Sequence, residues 1–260
     1  MGRSLAVKVK IIQSSVGSGD KLQVLASYVI NDFLSLDAAC IGFISPIDEQ
    51  RQIEHVFLSH THIDHTASLP IFIDNVYAPN PECPTVYGSA TVLESLRTDV
   101  FNDRVWPDMI RLSMEETPFL KLVEVKDHQT IEINGLQITP VELNHVIPAF
   151  GFVVSDGESA FALVSDTSPT EEIWKIASET PNLKAVFLEA SFPNHMDWLA
   201  DKAGHLTPAM FVEEAKKLKV DADFIAIHIK AAFQDAILKE LDELNMPNLS
   251  IGEPGKTYEF

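Results

Sequence analysis

Basic residues are scarce in this chain of 260: Lys and Arg number 19 against 38 Asp and Glu, for a formal charge of −19 at pH 7. Such a surface repels a long polyanion, because nucleic-acid binding needs a basic stripe that displaces counterions from phosphates. The small cluster Lys216-Lys217-x-Lys219 offers no such stripe, and a helix is expected to spread it over a solvated face. Cysteine is scarcer still. Only Cys40 and Cys83 occur, and neither lies in a Cys-x-x-Cys pair or a Cys-His cluster, so buried thiols are expected rather than a disulfide. Long apolar runs are missing too: none approaches the roughly 18 residues needed to span a bilayer. The opening MGRSLAVKVKII has neither an unbroken apolar region nor a small-residue cleavage site. The expectation is a soluble, cytoplasmic protein. With 46% hydrophobic residues it can bury a large core, and one α/β domain over 1–260 fits the length.

Histidine is what the chain concentrates. In His60-Thr61-His62-Ile63-Asp64-His65, three imidazoles and a carboxylate share six residues, entered from the apolar run Val56-Phe57-Leu58. A tight turn after a buried strand would gather all four side chains. Imidazole suits zinc, and a carboxylate can complete or bridge a coordination sphere, so the pattern supplies two pairs of ligands for neighbouring metals. The bland reading, a satisfied histidine-rich turn, fits this density poorly.

Along the chain, Leu5, Val7, Val9 and Ile11 alternate with more polar neighbours, as in a half-buried strand. Gly17 and Gly19 read as a hairpin turn, since no helix opening on Lys-Ser/Thr follows them. Leu22 to Ile30, a turn at Asn31-Asp32 and Phe33 to Asp37 continue a strand meander. A short buried helix over Ala67 to Val76, a loop over Asn80 to Pro84 and a strand Thr85 to Gly88 come next; Ser89 then caps a helix to Phe101. Asn102, Arg104 and Trp106 in the exit segment could receive a base and a phosphate, or simply pack it. Ile131 to Val141 reads as a hairpin around Asn134-Gly135, leading to His145; Phe150 to Val154 and Phe161 to Val164 pair around Ser155 to Glu158, leading to Asp166. Beyond a helix from Thr170 to Ser178 and a strand Ala185 to Glu189, Thr207 caps a helix to Leu218 with Pro208 at its first position. Phe224 to Ile227 is a buried strand ending at His228.

The His-x-His-x-Asp-His spacing resembles the signature of the metallo-β-lactamase superfamily. Strand, ligand and helix recur as that resemblance requires, which implies an αβ/βα four-layer sandwich. It implies further that His60, His62 and His145 hold one metal, that Asp64, His65 and His228 hold the other, and that Asp166 bridges them. Asp37 stands where the family supports the metal loop from behind, with Ala39 in place of a glycine two residues on. Within the superfamily the chain looks most like the class II cyclic-nucleotide phosphodiesterases. That likeness rests on Ala67-Ser68-Leu69-Pro70, Phe101-Asn102 to Trp106-Pro107-Asp108, Leu188 to Asn194, Gly204 to Pro208 and His228-Ile229-Lys230. His205-Leu206-Thr207-Pro208 is also similar to an element of transfer-RNA 3′-processing endonucleases, in which a histidine assists the leaving group.

The resemblance implies a phosphodiesterase with two divalent ions, zinc first and manganese or iron as alternatives, opening 3′,5′-cyclic nucleotides. His205 is the candidate acid, Asp64 shares in handling the nucleophile's proton, and Asn102, Arg104 and Trp106 would line the substrate pocket. The expected partner is a small cyclic nucleotide, with a homodimer allowed and neither membrane nor nucleic acid involved. Three other classes stand against this. A di-iron oxidoreductase of this fold would carry Glu in place of His62; an RNA-processing nuclease keeps the His205 motif but conflicts with the −19 charge; a binding module need not retain seven ligand positions.

Overall fold

The computed structural model describes residues 6–14, 22–78 and 82–260; Leu5, Gly17, Gly19, Asn80 and Pro81 lie outside them. The chain divides into two compact units, one of residues 9–14 and 25–126, the other of residues 127–260 with 6–8 and 22–24.

In the first unit, strands β1 (Lys8–Ile11), β2 (Tyr28–Ile30), β3 (Leu34–Leu36), β4 (His55–Phe57), β5 (Thr85–Gly88) and β6 (Lys121–Glu124) stand side by side in chain order. The opening meander is antiparallel, β1 to β2 to β3. It turns at Asn31 and Asp32, whose φ of 48° and 64° suit short side chains that tolerate the left-handed region. From β3 to β6 the pairing is parallel, and parallel strands are usually buried on both faces. Leu34, Val56, Phe57 and Val86 are accordingly buried, and Val56, Leu58 and Val86 share a core with Leu69, Phe72, Ile73, Leu93 and Phe101. The helix Leu69–Val76 starts later than its apolar pattern, because Pro70 fits only its first turn. Ser89 caps the helix Ala90–Ser95, accepting from the amide of Val92, but the next turn widens so that Phe101 N bonds Leu96 O at 2.8 Å.

The second unit is built on β7 (Ile131–Ile133), β8 (Leu136–Leu143), β9 (Ala149–Ser155), β10 (Ala160–Val164), β11 (Leu183–Glu189), β12 (Asp223–Ile227) and β13 (Leu249–Ile251). The β7–β8 hairpin turns on Asn134-Gly135, both left-handed as a two-residue turn requires. Since β9 is antiparallel to both β8 and β10, and β10, β11 and β12 are mutually parallel, β8, β10, β11 and β12 all point one way. Their carboxyl ends share one edge of the sheet, where open α/β sheets place their sites. Helices Glu172–Glu179, Asp197–Ala203, Pro208–Ala215 and Gln234–Glu243 complete the unit.

Two further expectations change. The helix capped by Thr207 stops at Ala215, short of Leu218, and the basic cluster beyond it is not a uniformly solvated face. Lys217 reaches Glu214 and Glu171 at 2.7 Å, while the buried Glu214 also accepts from Trp174 Nε1 at 2.7 Å and from Thr170 N. A carboxylate inside the core needs such partners, and they draw the lysine in. Among the described residues, no helix is long and apolar enough to cross a membrane.

Candidate metal centre

In the first unit the ligand turn leaves β4 and winds into a single helical turn, Ile63–Thr66. Asp37 leaves the neighbouring β3 in a left-handed conformation, φ 59°, costly for a residue other than glycine unless it is held in place. Here it is held: Asp37 N donates to Phe57 O at 2.8 Å, while its Oδ1 accepts from Ser59 N at 2.8 Å. Asp37 Oδ2 receives His65 Nδ1 at 2.7 Å and Ser59 Oγ at 2.9 Å. The left-handed conformation falls on Asp37 itself and not on Ala39, so the alanine meets no left-handed strain there.

His60 is fully buried, with Nδ1 3.0 Å from Ser59 Oγ and Nε2 3.0 Å from Nδ1 of His62. Two imidazole nitrogens that close either share a proton or face one cation. The second suits them, because ligands on one tetrahedral zinc with bonds of ~2.05 Å lie roughly 3.3 Å apart. The buried His65 and the more exposed Asp64 bring a nitrogen and a carboxylate oxygen within 4.8 Å of each other. His60 and His65 are each held at Nδ1 by a polar partner, Ser59 Oγ and Asp37 Oδ2, as metal-binding histidines characteristically are.

The second unit assembles its own set along the shared strand edge. His145 follows β8, and its Nδ1 donates to Gly204 O at 2.8 Å, leaving Nε2 as the donor atom. Gly204 caps the helix Asp197–Ala203 at φ 74°, and a Cβ there would come within 2.7 Å of His145 Nδ1. Burial lowers the His145 pKa despite that carbonyl and the nearby Asp166, which favours the neutral imidazole a metal requires. Asp166 is buried beyond β10 with Oδ2 3.3 Å from His228 Nε2, and His228 sits at φ 55° after β12. Ligand-type atoms of Asp166, His205 and His228 lie within 4.8 Å of one another.

His205 is set apart from these by Glu189. Its Nδ1 donates to Glu189 Oε1 at 2.9 Å and lies 3.9 Å from Asp166 Oδ2. Burial opposes its charge, but the Glu189 carboxylate, through charge and hydrogen bond, and then Asp166 outweigh burial and raise its pKa above the usual 6.5. The wholly buried Glu189 also accepts from Thr167 N at 2.8 Å, Ser191 Oγ at 2.5 Å and Leu206 N at 3.1 Å. Sequence reasoning gave Glu189 and Ser59 no part. An acid closing the apolar strand LKAVFLE was the legible signal for Glu189, since a buried carboxylate is expensive without donors; a serine before the histidines carried none.

A sequence model described as a beta-lactamase superfamily domain matches residues 37–229. The chain belongs to that superfamily. Its fold is the metallo-β-lactamase α/β fold, two mixed sheets with helices, and the superfamily implies divalent metal for the His/Asp clusters. A probable 3′,5′-cyclic-nucleotide phosphodiesterase of Yersinia pestis is 28% identical over 228 residues, covering 75% of this chain and 64% of that protein. The 3′,5′-cyclic-nucleotide phosphodiesterase 1 of Saccharomyces cerevisiae is 26% identical over 232 residues, with 74% and 61% covered. This chain therefore spans under two thirds of the length of either relative. Among solved structures, unliganded yeast PDE1 superposes with a TM-score of 0.81 at 16% identity over 98% of this chain and all of that one. Human tRNase Z, short form, does so with a TM-score of 0.68 at 16% identity over 97% and 98%.

In the exit segment the side chains of Asn102 and Trp106 are engaged in the loop and the core. Asn102 Nδ2 donates to Thr98 O at 2.7 Å, and its Oδ1 accepts from the amides of Arg104 and Val105, so the amide holds the loop's own backbone. Trp106 packs against the first unit's core with its indole N–H buried and without a hydrogen-bond partner, while Arg104 is exposed.

Proposed function

We propose that this chain is a metal-dependent phosphodiesterase that opens 3′,5′-cyclic nucleotides at the 3′ oxygen to give 5′-nucleotides. The family match runs through both units, from 37 to 229, which supports reading them as one metallo-hydrolase domain. Two divalent ions, zinc first, are assigned to His60, His62 and His145 and to Asp64, His65 and His228, with Asp166 serving both. When bound, such ions bring the pKa of a water toward ~7 and offset charge on phosphoryl oxygens.

The observation that carries the reading is the His205–Glu189 pair. A ribose oxygen is a poor leaving group near neutrality and needs a proton as it departs, help worth roughly 10²–10⁴-fold. His205 is 6% exposed, holds its proton above the usual imidazole range, and has Nδ1 fixed on Glu189, so Nε2 is the atom that delivers it. Asp64, beside His65, takes part in handling the nucleophile's proton. Trp106 offers a flat wall for the base, with Arg104 for the phosphate and Asn102 holding the loop. The relatives named as cyclic-nucleotide phosphodiesterases set the substrate class.

Transfer-RNA 3′-processing is the second reading, favoured by a ribonuclease Z of Lactobacillus gasseri that is 29% identical over 117 residues, 45% of this chain. The −19 charge ranks it lower. Zinc-loaded protein given cyclic AMP, cyclic GMP or a transfer-RNA precursor separates the two; cleavage of the RNA alone would overturn the cyclic-nucleotide reading. Chelation should abolish turnover and zinc or manganese restore it, and Asp166→Ala should weaken both ions. Metal-free protein that still hydrolyses substrate would refute the metal assignment.

A further inference from the structure

The Ser59 hydroxyl touches more of the ligand turn than its place outside the motif suggests. Ser59 is 1% exposed, and its Oγ lies 3.0 Å from His60 Nδ1, 3.4 Å from His65 Nδ1 and 2.9 Å from Asp37 Oδ2. A hydroxyl has one hydrogen to give, and here it goes to Asp37 Oδ2. Toward His60 the oxygen is then an acceptor, so His60 Nδ1 carries the hydrogen and Nε2 carries the lone pair. His65 reaches the same state without an intermediary, its Nδ1–H donating to Asp37 Oδ2 at 2.7 Å.

We propose that Ser59 is a positioning residue that relays the Asp37 carboxylate to His60, so that one acid sets the tautomer of two imidazoles assigned to different ions. The claim rests on the metal assignment above and extends it. His60 Nδ1–H donates to Ser59 Oγ–H, which donates to Asp37 Oδ2, where the His65 hydrogen also converges. Asp37 is itself fixed by Ser59 N on Oδ1 and by its own amide on Phe57 O, so the relay stands on the backbone of β4 and on the residue opening the ligand turn. Removing the hydroxyl leaves His65 its direct bond and deprives His60 of the group that holds its hydrogen on Nδ1. The ion assigned to His60 should weaken more than the one assigned to His65. Loss of such outer partners typically costs 10–100-fold in metal affinity.

The test uses full-length protein stripped of metal, zinc alone as the probe, a competing chromophoric indicator to read stepwise affinity, and long-range ¹⁵N spectra of the histidines to read tautomers. Wild type should take up two zinc equivalents. Ser59→Ala should bind one of them about 10–100-fold more weakly and lose the fixed Nδ1–H of His60 while keeping that of His65. Ser59→Thr and Ser59→Val, alike in shape and different in the hydroxyl, decide the matter should the alanine variant fold poorly: Thr should bind as wild type and Val as weakly as Ala. Wild-type affinity in Ser59→Ala, or equal affinity in the Thr and Val variants, would overturn the relay while leaving the metal centre standing. A wild-type protein that takes up no zinc would overturn both.

Discussion

Replacing Glu189 by Gln removes one charge and almost no volume, and the structure sets the consequence. The carboxylate accepts four bonds, from Thr167 N, His205 Nδ1, Ser191 Oγ and Leu206 N. With the amide oxygen kept toward Thr167 and His205, the amide nitrogen meets Ser191 and Leu206. Ser191 can turn its hydrogen to His228 O, 2.9 Å away, but Leu206 N is left without an acceptor in the core, a cost of about 1–3 kcal/mol. The larger effect is on His205. Its folded pKa lies above 6.5 because Glu189 and Asp166 outweigh burial; without the Glu189 charge, burial should prevail and take it below 6.5. The sign for stability follows. A group whose pKa rises on folding contributes stability fully present below its unfolded pKa and lost as pH climbs through its folded pKa. Metal-free wild type should therefore lose stability as pH rises above about 6.5, toward the folded pKa, and Glu189→Gln should not show that decline. Titration of the His205 ring resonance by NMR, with urea unfolding at several pH values, measures both. A His205 that titrates identically in the two proteins would refute the argument.

His205→Ala should retain its zinc yet lose kcat by ~10²-fold or more on a cyclic nucleotide, and recover most of its relative activity on a p-nitrophenyl phosphodiester, whose phenolate needs no proton; equal losses on both esters would remove the acid role. Trp106→Ala should raise KM for the cyclic nucleotide, since a stacked base is worth roughly 1–3 kcal/mol, and an unchanged KM in folded enzyme would show that the indole only packs the loop. Burial pushes the Cys40 thiol up to about 11, against a hydrogen bond from Ser27, whereas Cys83 is only partly buried. A thiol reagent at pH 8 should therefore modify Cys83 and spare Cys40 until the protein is denatured, as peptide mass mapping would read; rapid native labelling of Cys40 would contradict its burial.

The sequence by itself determined the strands that deliver ligands and the turn that concentrates them. Periodicity and punctuation are local, so Asn31-Asp32, Asn134-Gly135, Ser89 and Thr207 could be read where they stand, and the apolar runs that precede His60, Asp166 and His228 are the strands β4, β10 and β12. The fate of Lys217 was not legible, because a buried Glu214 from the preceding helix, bonded to Trp174, draws it in. Only the tertiary structure could set roles apart among chemically equal residues. It gives His145 to a carbonyl, His65 to a carboxylate and His205 to Glu189, and those backing atoms determine which nitrogen each ring presents. Such partners come from β3, β11 and a helix cap 59 residues from His145, distances along the chain over which no sequence period extends. The ligand types were written in the motif; their tautomers were written in the packing behind it.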